Sequence, residues 1–371
     1  MTDTPDSTVT APESVPVANT DGRQRPNRLY QSLAWVGIIA GVLLIVGMVF
    51  FAGVFLGRTG GYGWHRGYHN GQMGPGGPMN ECPMMRGGGM GHNAWVTHSE
   101  IAVAEGPSPF GPFTFKTVAL PARGKGFWDG LCTHNPTIQR FGKKYYLYYM
   151  GNTGDGVAMK TLNWTHRNNQ RVGVAVADHP LGPWKRFDQP IVAPDKGFYD
   201  ALCCTNPSVT RRPDGGFLMV YKAVGDSNPL PFGGPVLHCV ATSKSPVGPF
   251  VKHPDPVFVK KGVAFAAEDP FIWFDGRIYR AVVKDNNGYF TNAGKSLALF
   301  ESMDGFDWKL SAHPLVSTME VKWANGKREV LNSLERPQLW FEKGKPAVLL
   351  CAADVSPARE FSFNLQIPIR T

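Results

Sequence analysis

Four stretches of this 371-residue chain set polar or charged residues directly ahead of a proline: His134-Asn135-Pro136, Thr205-Asn206-Pro207, Glu268-Asp269-Pro270 and Glu335-Arg336-Pro337. Asp129 and Asp200 stand six residues before Asn135 and Asn206, in segments that match each other. Carboxylates brought together from distant parts of a chain raise one another's pKa, so that one stays protonated while another stays ionised. That pair is what glycosidic bond hydrolysis needs: an acid for the leaving oxygen, and a carboxylate that activates water or attacks the sugar. Trp128, with Phe127, Phe198 and Tyr199, offers flat faces on which a sugar ring can stack.

Each of these residues also has a plainer reading. Asp129 and Asp200 precede Gly and Ala and could be turn residues. Glu268 could form a buried ion pair with Arg336, leaving Asp269 and Glu335 as the substitute carboxylates. Asn135 and Asn206 could serve backbone groups at strand starts. His134 could be a hydrogen-bonded core residue or a substrate ligand.

The elements that position these groups follow from an internal repeat. FWDGLCTHNPTI (127–138) aligns without gaps with FYDALCCTNPSV (198–209), 71 residues later. A turn and a strand follow each, KKYYLYYMGNTG (143–154) and GGFLMVYKAVGD (215–226), and then VGVAVADHPLGPWKRF (172–187) and LHCVATSKSPVGPFVKH (237–253). Further units start at Glu268 and Glu335, and 100–115 matches only the second half of the pattern. Each unit supplies about four short strands in a meander. Such sheets bury both faces by stacking radially around an axis. The expected fold is therefore all-β, a five-bladed β-propeller in which one blade can be incomplete and 100–115 joins the C-terminal strands to close the ring. A β-sandwich or solenoid is the competing architecture. In a propeller the x-x-Pro positions open the innermost strand of each blade, where proline is tolerated because the channel side has no partner.

The WDG…HNP segment followed by YYLYYMGNTG, the GPW and GPF turns, and the EDP and ERP starts resemble the five-bladed hydrolases around glycoside hydrolase families 43 and 117, over about 93–371. The resemblance implies Asp129 as general base, Asp200 as the group that tunes pKa and Glu268 as general acid. It implies that Trp128, His134, Asn135, Asn206, Asp269, Glu335 and Arg336 bind substrate or orient the carboxylates. The similarity to family 117 allows a histidine acid instead. The implied activity is exo-acting hydrolysis of oligo- or polysaccharides, with inversion and with no required cofactor. The resemblance also allows a calcium ion on the axis, near Asp155, Asp226 and Asp285, which otherwise read as turn caps. The alternatives are a glycan-binding propeller without turnover and a propeller phosphorylase.

The N-terminal quarter is unlike the rest. Residues 1–32 are polar, without apolar periodicity, and read as a disordered tail. Residues 33–56 are 24 uncharged, apolar residues, enough for a single transmembrane helix. A cleaved signal peptide fits less well, since Gly57-Arg58 is a poor cleavage site. Arg23, Arg25 and Arg28 before the span set the N-terminus inside and the large domain outside, giving a membrane-anchored, extracytoplasmic propeller. Residues 57–92 form a Gly-rich linker whose Met, His and Cys82 would also suit copper(I). The net charge of +9 is spread thinly, which fits a solvated basic surface or an anionic glycan or membrane partner, and no motif points to nucleic acid. The six cysteines lack CxxC spacing and read mostly as small buried apolar residues.

Overall fold

The structure is a computed structural model that describes residues 95–157, 159, 161–356 and 362–369. All of them belong to the second of two compact units, Asn70–Thr371. The tail 1–32, the expected span 33–56 and the Gly-rich linker 57–92 lie outside the described residues. Among the described residues, no helix is long and apolar enough to cross a membrane.

The fold is an all-β propeller with four blades among the described residues. Blade I comprises β3 (Cys132–Phe141), β4 (Lys144–Asn152), β5 (Arg171–Ala177) and β6 (Lys185–Arg186). Blade II comprises β7 (Cys203–Arg211), β8 (Phe217–Val224), β9 (Val236–Ser243) and β10 (Val251–Val257). Blade III comprises β11 (Ala267–Phe274), β12 (Tyr279–Asp285), β13 (Ser296–Ser302) and β14 (Lys309–Thr318). Blade IV holds three strands, β17 (Ser333–Glu342), β18 (Lys345–Asp354) and β19 (Phe363–Pro368). Every blade is an antiparallel meander, so each strand turns back on its predecessor and the first strand lies innermost.

The expected fifth blade is not found among the described residues. A single helical turn, α1 (Trp95–His98), leads into the 100–115 half unit. That half unit forms β1 (Ile101–Glu105), which pairs with β2 (Thr114–Leu120) as a separate two-stranded hairpin, while β19 pairs only with β18. The hairpin docks instead on blade I. The Thr133 hydroxyl donates to the Leu120 carbonyl at 2.7 Å and accepts from the Ile101 amide at 3.2 Å, and the Thr133 amide donates to the Ser99 carbonyl at 3.0 Å. A second small hairpin, β15 (Glu320–Lys322) with β16 (Arg328–Val330), links blades III and IV.

The alternating burial that makes strands also makes the cores, because successive side chains leave a strand on opposite faces. Val209, Met219, Tyr221 and Cys239 of blade II face Tyr148, Val172 and Val174 of blade I. Leu218, Val220 and Val240, on the other face of blade II, meet Ile272, Ala281 and Phe300 of blade III. Val282 and Leu297 then meet Leu334, Leu349 and Cys351 of blade IV. Cys132, Cys203, Cys204, Cys239 and Cys351 are all buried as free thiols, matching their reading as small apolar residues.

Candidate active site at the axial mouth

The four x-x-Pro motifs do open the four inner strands. In each, the register with the second strand slips at the motif: between His134 and Thr137, Thr205 and Ser208, Glu268 and Phe271, and Glu335 and Gln338. The extra residue adopts a left-handed backbone, with φ of 50° at Asn135, 52° at Asn206, 53° at Asp269 and 53° at Arg336. Asn and Asp tolerate this region better than other non-glycine residues, which accounts for three of the four positions.

These bulges turn four side chains toward one another across the axis. Asn135 donates to Asn206, and Asn206 donates to Asp269. Asp269 accepts from the Arg336 amide at 3.0 Å and from its guanidinium at 3.4 Å. Arg336 Nη2 donates back to the Asn135 carbonyl at 3.1 Å, which closes the ring from blade IV to blade I. Asp269 is nearly fully buried. Burial and the adjacent Glu268 charge push its pKa up, against the pull of Arg336.

The residues just before this ring form the mouth: His134, Thr205, Glu268 and Glu335. Their partners on the second strands are Met150, Lys222, Lys284 and Ala352. Glu268 is therefore held between two ammonium groups, Lys222 Nζ at 2.5 Å from Oε1 and Lys284 Nζ at 3.2 Å from Oε2. Lys284 also reaches Glu335 Oε1 at 3.1 Å. Burial alone would raise the Glu268 pKa, but the two lysines outweigh it and hold the carboxyl well below its usual range. Lys284 is held correspondingly above its own, because Glu268 and Glu335 outweigh its burial. His134 is half-buried beneath Trp95, with ring centroids 5.4 Å apart. Burial first, then the Arg336 and Lys222 charges, lower it to about 3, so its ring is neutral at physiological pH.

Asp129 and Asp200 stand elsewhere and are wholly buried. Asp129 accepts from Arg123 Nη2 at 2.6 Å, from the Tyr149 hydroxyl at 2.7 Å and from Arg186 at 3.2 Å. Asp200 accepts from the Tyr221 hydroxyl at 2.8 Å, from Lys252 at 2.6 Å and from the Asp195 amide at 3.0 Å. In both blades the aspartate ties the entry loop to the second strand and to a cation on the fourth. The 71-residue equivalence thus reports a repeated internal clamp, and neither group has free surface for a substrate or its water. Trp128 also belongs to blade I. Its ring stacks on Tyr149 at 5.6 Å, and a Cβ added at Gly173 would lie 2.5 Å from it.

The structure therefore gathers Glu268, Asp269, Glu335, Arg336, Asn135, Asn206 and His134, and sets Asp129, Asp200 and Trp128 apart as blade supports. Sequence reasoning passed over Lys222 and Lys284. The signal lay in the register: counting back from the turn in FLMVYKAV and YRAVVKD puts each lysine opposite an x-x-Pro motif.

A calcium ion fits these residues poorly. The Asp285 carboxylate already accepts from the amides of Tyr289, Phe290 and Thr291. Asp155 accepts from the Val157 amide and from Asn163, the mouth glutamates carry lysines, and no cluster of three or more acidic, His or Cys side chains among the described residues could hold a metal.

No family model and no curated protein matches the sequence. The fold does match solved structures. One is a family 117 glycoside hydrolase from the marine bacterium Zobellia galactanivorans, 19% identical over 72% of this chain and 69% of that one, with a TM-score of 0.51. Another is a BT0996 complex with RGII, 16% identical over 74% and 79%, with a TM-score of 0.56. A thermostable family-43 glycoside hydrolase is 14% identical over 73% and 82%, with a TM-score of 0.52. At these identities the likeness shows a shared propeller fold.

Proposed function

We propose that the chain is a glycoside hydrolase acting on terminal bonds of oligo- or polysaccharides, with its reaction centre at the axial mouth. The observation that carries this reading is the Glu268–Lys284–Glu335 bridge between blades III and IV. One ammonium group within 3.2 Å of both carboxylates limits their separation to about 6 Å, inside the roughly 5–10 Å range over which two carboxyl groups cooperate in glycoside cleavage. Glu268, kept ionised by two lysines, takes the role of nucleophile or base. Glu335, bridged to Glu268 through Lys284, takes the role of acid to the leaving oxygen. His134, neutral and in the mouth, would receive a sugar hydroxyl.

The test is release of nitrophenol from a panel of aryl glycosides by the full-length chain, with and without inorganic phosphate. Glu268→Gln and Glu335→Gln should each lower the rate by roughly two to four orders of magnitude, compared on folded protein because Glu268→Gln also leaves Lys222 without its carboxylate. Wild-type rates in both variants would remove the assignment, and a strict need for phosphate would turn it into phosphorolysis. A second reading, a glycan-binding propeller without turnover, is favoured by the double lysine neutralisation of Glu268 and by the asparagines at 135 and 206. Sugar binding that survives both substitutions, with no hydrolysis by any form, would establish it. Sequence charge bias around 33–56 supports an extracytoplasmic, tethered propeller, which protease protection in sealed vesicles would test.

A further inference from the structure

The mouth is bordered by two long loops. The loop between β4 and β5 carries the short helix α2 (Trp164–Asn168), and the loop between β8 and β9 carries Phe232. They are joined through Arg167, whose Nη1 donates to the Phe232 carbonyl at 2.7 Å and to Asn168 Oδ1 at 2.9 Å. Its guanidinium lies over both aromatic rings, 5.7 Å from Trp164 and 5.0 Å from Phe232.

Arg167 is unusual in its charge balance. It is 8% exposed, yet it has no carboxylate partner among the described residues. Its Nε and Nη2 make no hydrogen bond among them either, whereas Lys222 and Lys284 are ion-paired with Glu268, and Arg336 with Asp269. Burial lowers its pKa, while Cys203, at the start of the blade II inner strand, and Glu268 act to raise it. Arg171, at the start of β5, repeats the pattern. Its Nη1 bonds only the backbone carbonyls of Asn168 and Gln170. The charges of both arginines are felt at Cys203, two residues before Thr205, which is the one mouth position of the four that is uncharged and cannot titrate. A buried guanidinium with free donors is costly unless a ligand supplies the anion. Guanidinium groups match planar carboxylates and sulfate esters through paired N–H donors.

We propose that the sugar taken at the mouth is anionic, a uronate or a sulfated sugar, and that Arg167 receives its charged group over blade II while Glu268 and Glu335 address the glycosidic bond. Arg171 adds positive potential without direct contact. The inference rests on the reading that sugar binds at the axial mouth.

Calorimetric titration of the full-length chain carrying Glu335→Gln keeps ligands intact and separates this proposal from the hydrolytic one. The probes are a neutral xylo-oligosaccharide, its glucuronic-acid-substituted counterpart, and a galactan tetrasaccharide with and without sulfate. At least one acidic member should bind roughly tenfold or more tightly than its neutral partner, and which pair responds distinguishes carboxylate from sulfate. Arg167→Gln should abolish that preference and leave the neutral affinity within about twofold. Arg167→Lys, which keeps the charge but not the planar fork, should retain part of it. Equal affinity for both members of each pair, binding of neither acidic probe, or an equal loss for acidic and neutral sugars in Arg167→Gln would overturn the proposal. Loss of hydrolysis in Glu268→Gln together with no acidic preference would leave the catalytic reading standing and this one refuted.

Discussion

At the scale of single residues, the aspartates that repeat and the residues that differ have opposite roles. Asp129 and Asp200 recur because both fasten the entry loops of their blades, and the fastening is the same in both: a tyrosine hydroxyl and a cation from the fourth strand. Asp129→Asn should destabilise by about 3–5 kcal/mol, since it leaves Arg123 and Arg186 buried against a neutral side chain. Urea denaturation measures this, and an unchanged midpoint would contradict the clamp. The mouth residues His134, Thr205, Glu268 and Glu335 are equivalent in register, and only the last two are alike. Repetition of Asp129 and Asp200 in the sequence marked a folding requirement, while the proposed chemistry is assigned to blades III and IV, where that aspartate is missing. That distinction was not available from the matching segments alone, because burial decides between a carboxylate held in a blade and one offered to solvent.

A pH dependence also belongs at this scale. His134 and His238 are both lowered to about 3, chiefly by burial, so both are neutral in the fold at pH 5–7. His238 Nε2 is buried without a partner, and Lys222 faces the ring across β8 and β9. Unfolding lets each histidine take up a proton below about pH 6.5, so the unfolded state binds more protons and stability falls as pH drops from about 6.5 toward 3. The slope reaches at most about 1.4 kcal/mol per pH unit for each histidine. His238→Gln should flatten the fall of Tm between pH 6.5 and 5. A slope identical to that of the wild type would count against this origin.

At the scale of the element, the inner strand is the informative unit. The proline that follows each bulge was visible in the sequence, and it marked the strand starts correctly. The bulge itself was not visible. It depends on a slip in register against the second strand, which no spacing along the first strand reveals. At Asn206 the side chain both donates and accepts within the axial ring while the backbone holds a φ of 52°. Asn206→Ala should cost roughly 1–3 kcal/mol through the partners it strands. Asn206→Val should cost more, because a β-branched residue is strained at that φ. The order of the two midpoints in denaturant tests whether the backbone matters as well as the hydrogen bonds.

At the scale of the whole molecule, repeat counting found the propeller and overcounted its blades. The half unit at 100–115 has the composition of outer strands, but its nearest available partner is 114–120, and a local hairpin wins over a distant sheet edge because closing a short loop is cheaper. The apolar alternation that predicted strands also predicted the layers between blades. Leu218 illustrates the dependence of one blade on the next: it is wholly buried between blades II and III, and a Cβ added at Gly305 of blade III would lie 2.6 Å from its side chain. Leu218→Ala should cost about 2–5 kcal/mol. Gly305→Ala should destabilise as well, since it combines that clash with a φ of 84°.

The hydrogen bonds around the axis have a direction: amides hand on from Asn135 to Asn206 to Asp269, and the guanidinium of Arg336 approaches the same acid from the far side before returning to the start. The four wedges are therefore ordered like beads on a clasped bracelet. A gene cut between blades II and III, with its old ends spliced, preserves who sits beside whom. A gene with those two wedges transposed sets the guanidinium next to an amide and strands the acid among neutral neighbours, so the rearranged protein loses its clasp although every blade sequence is intact.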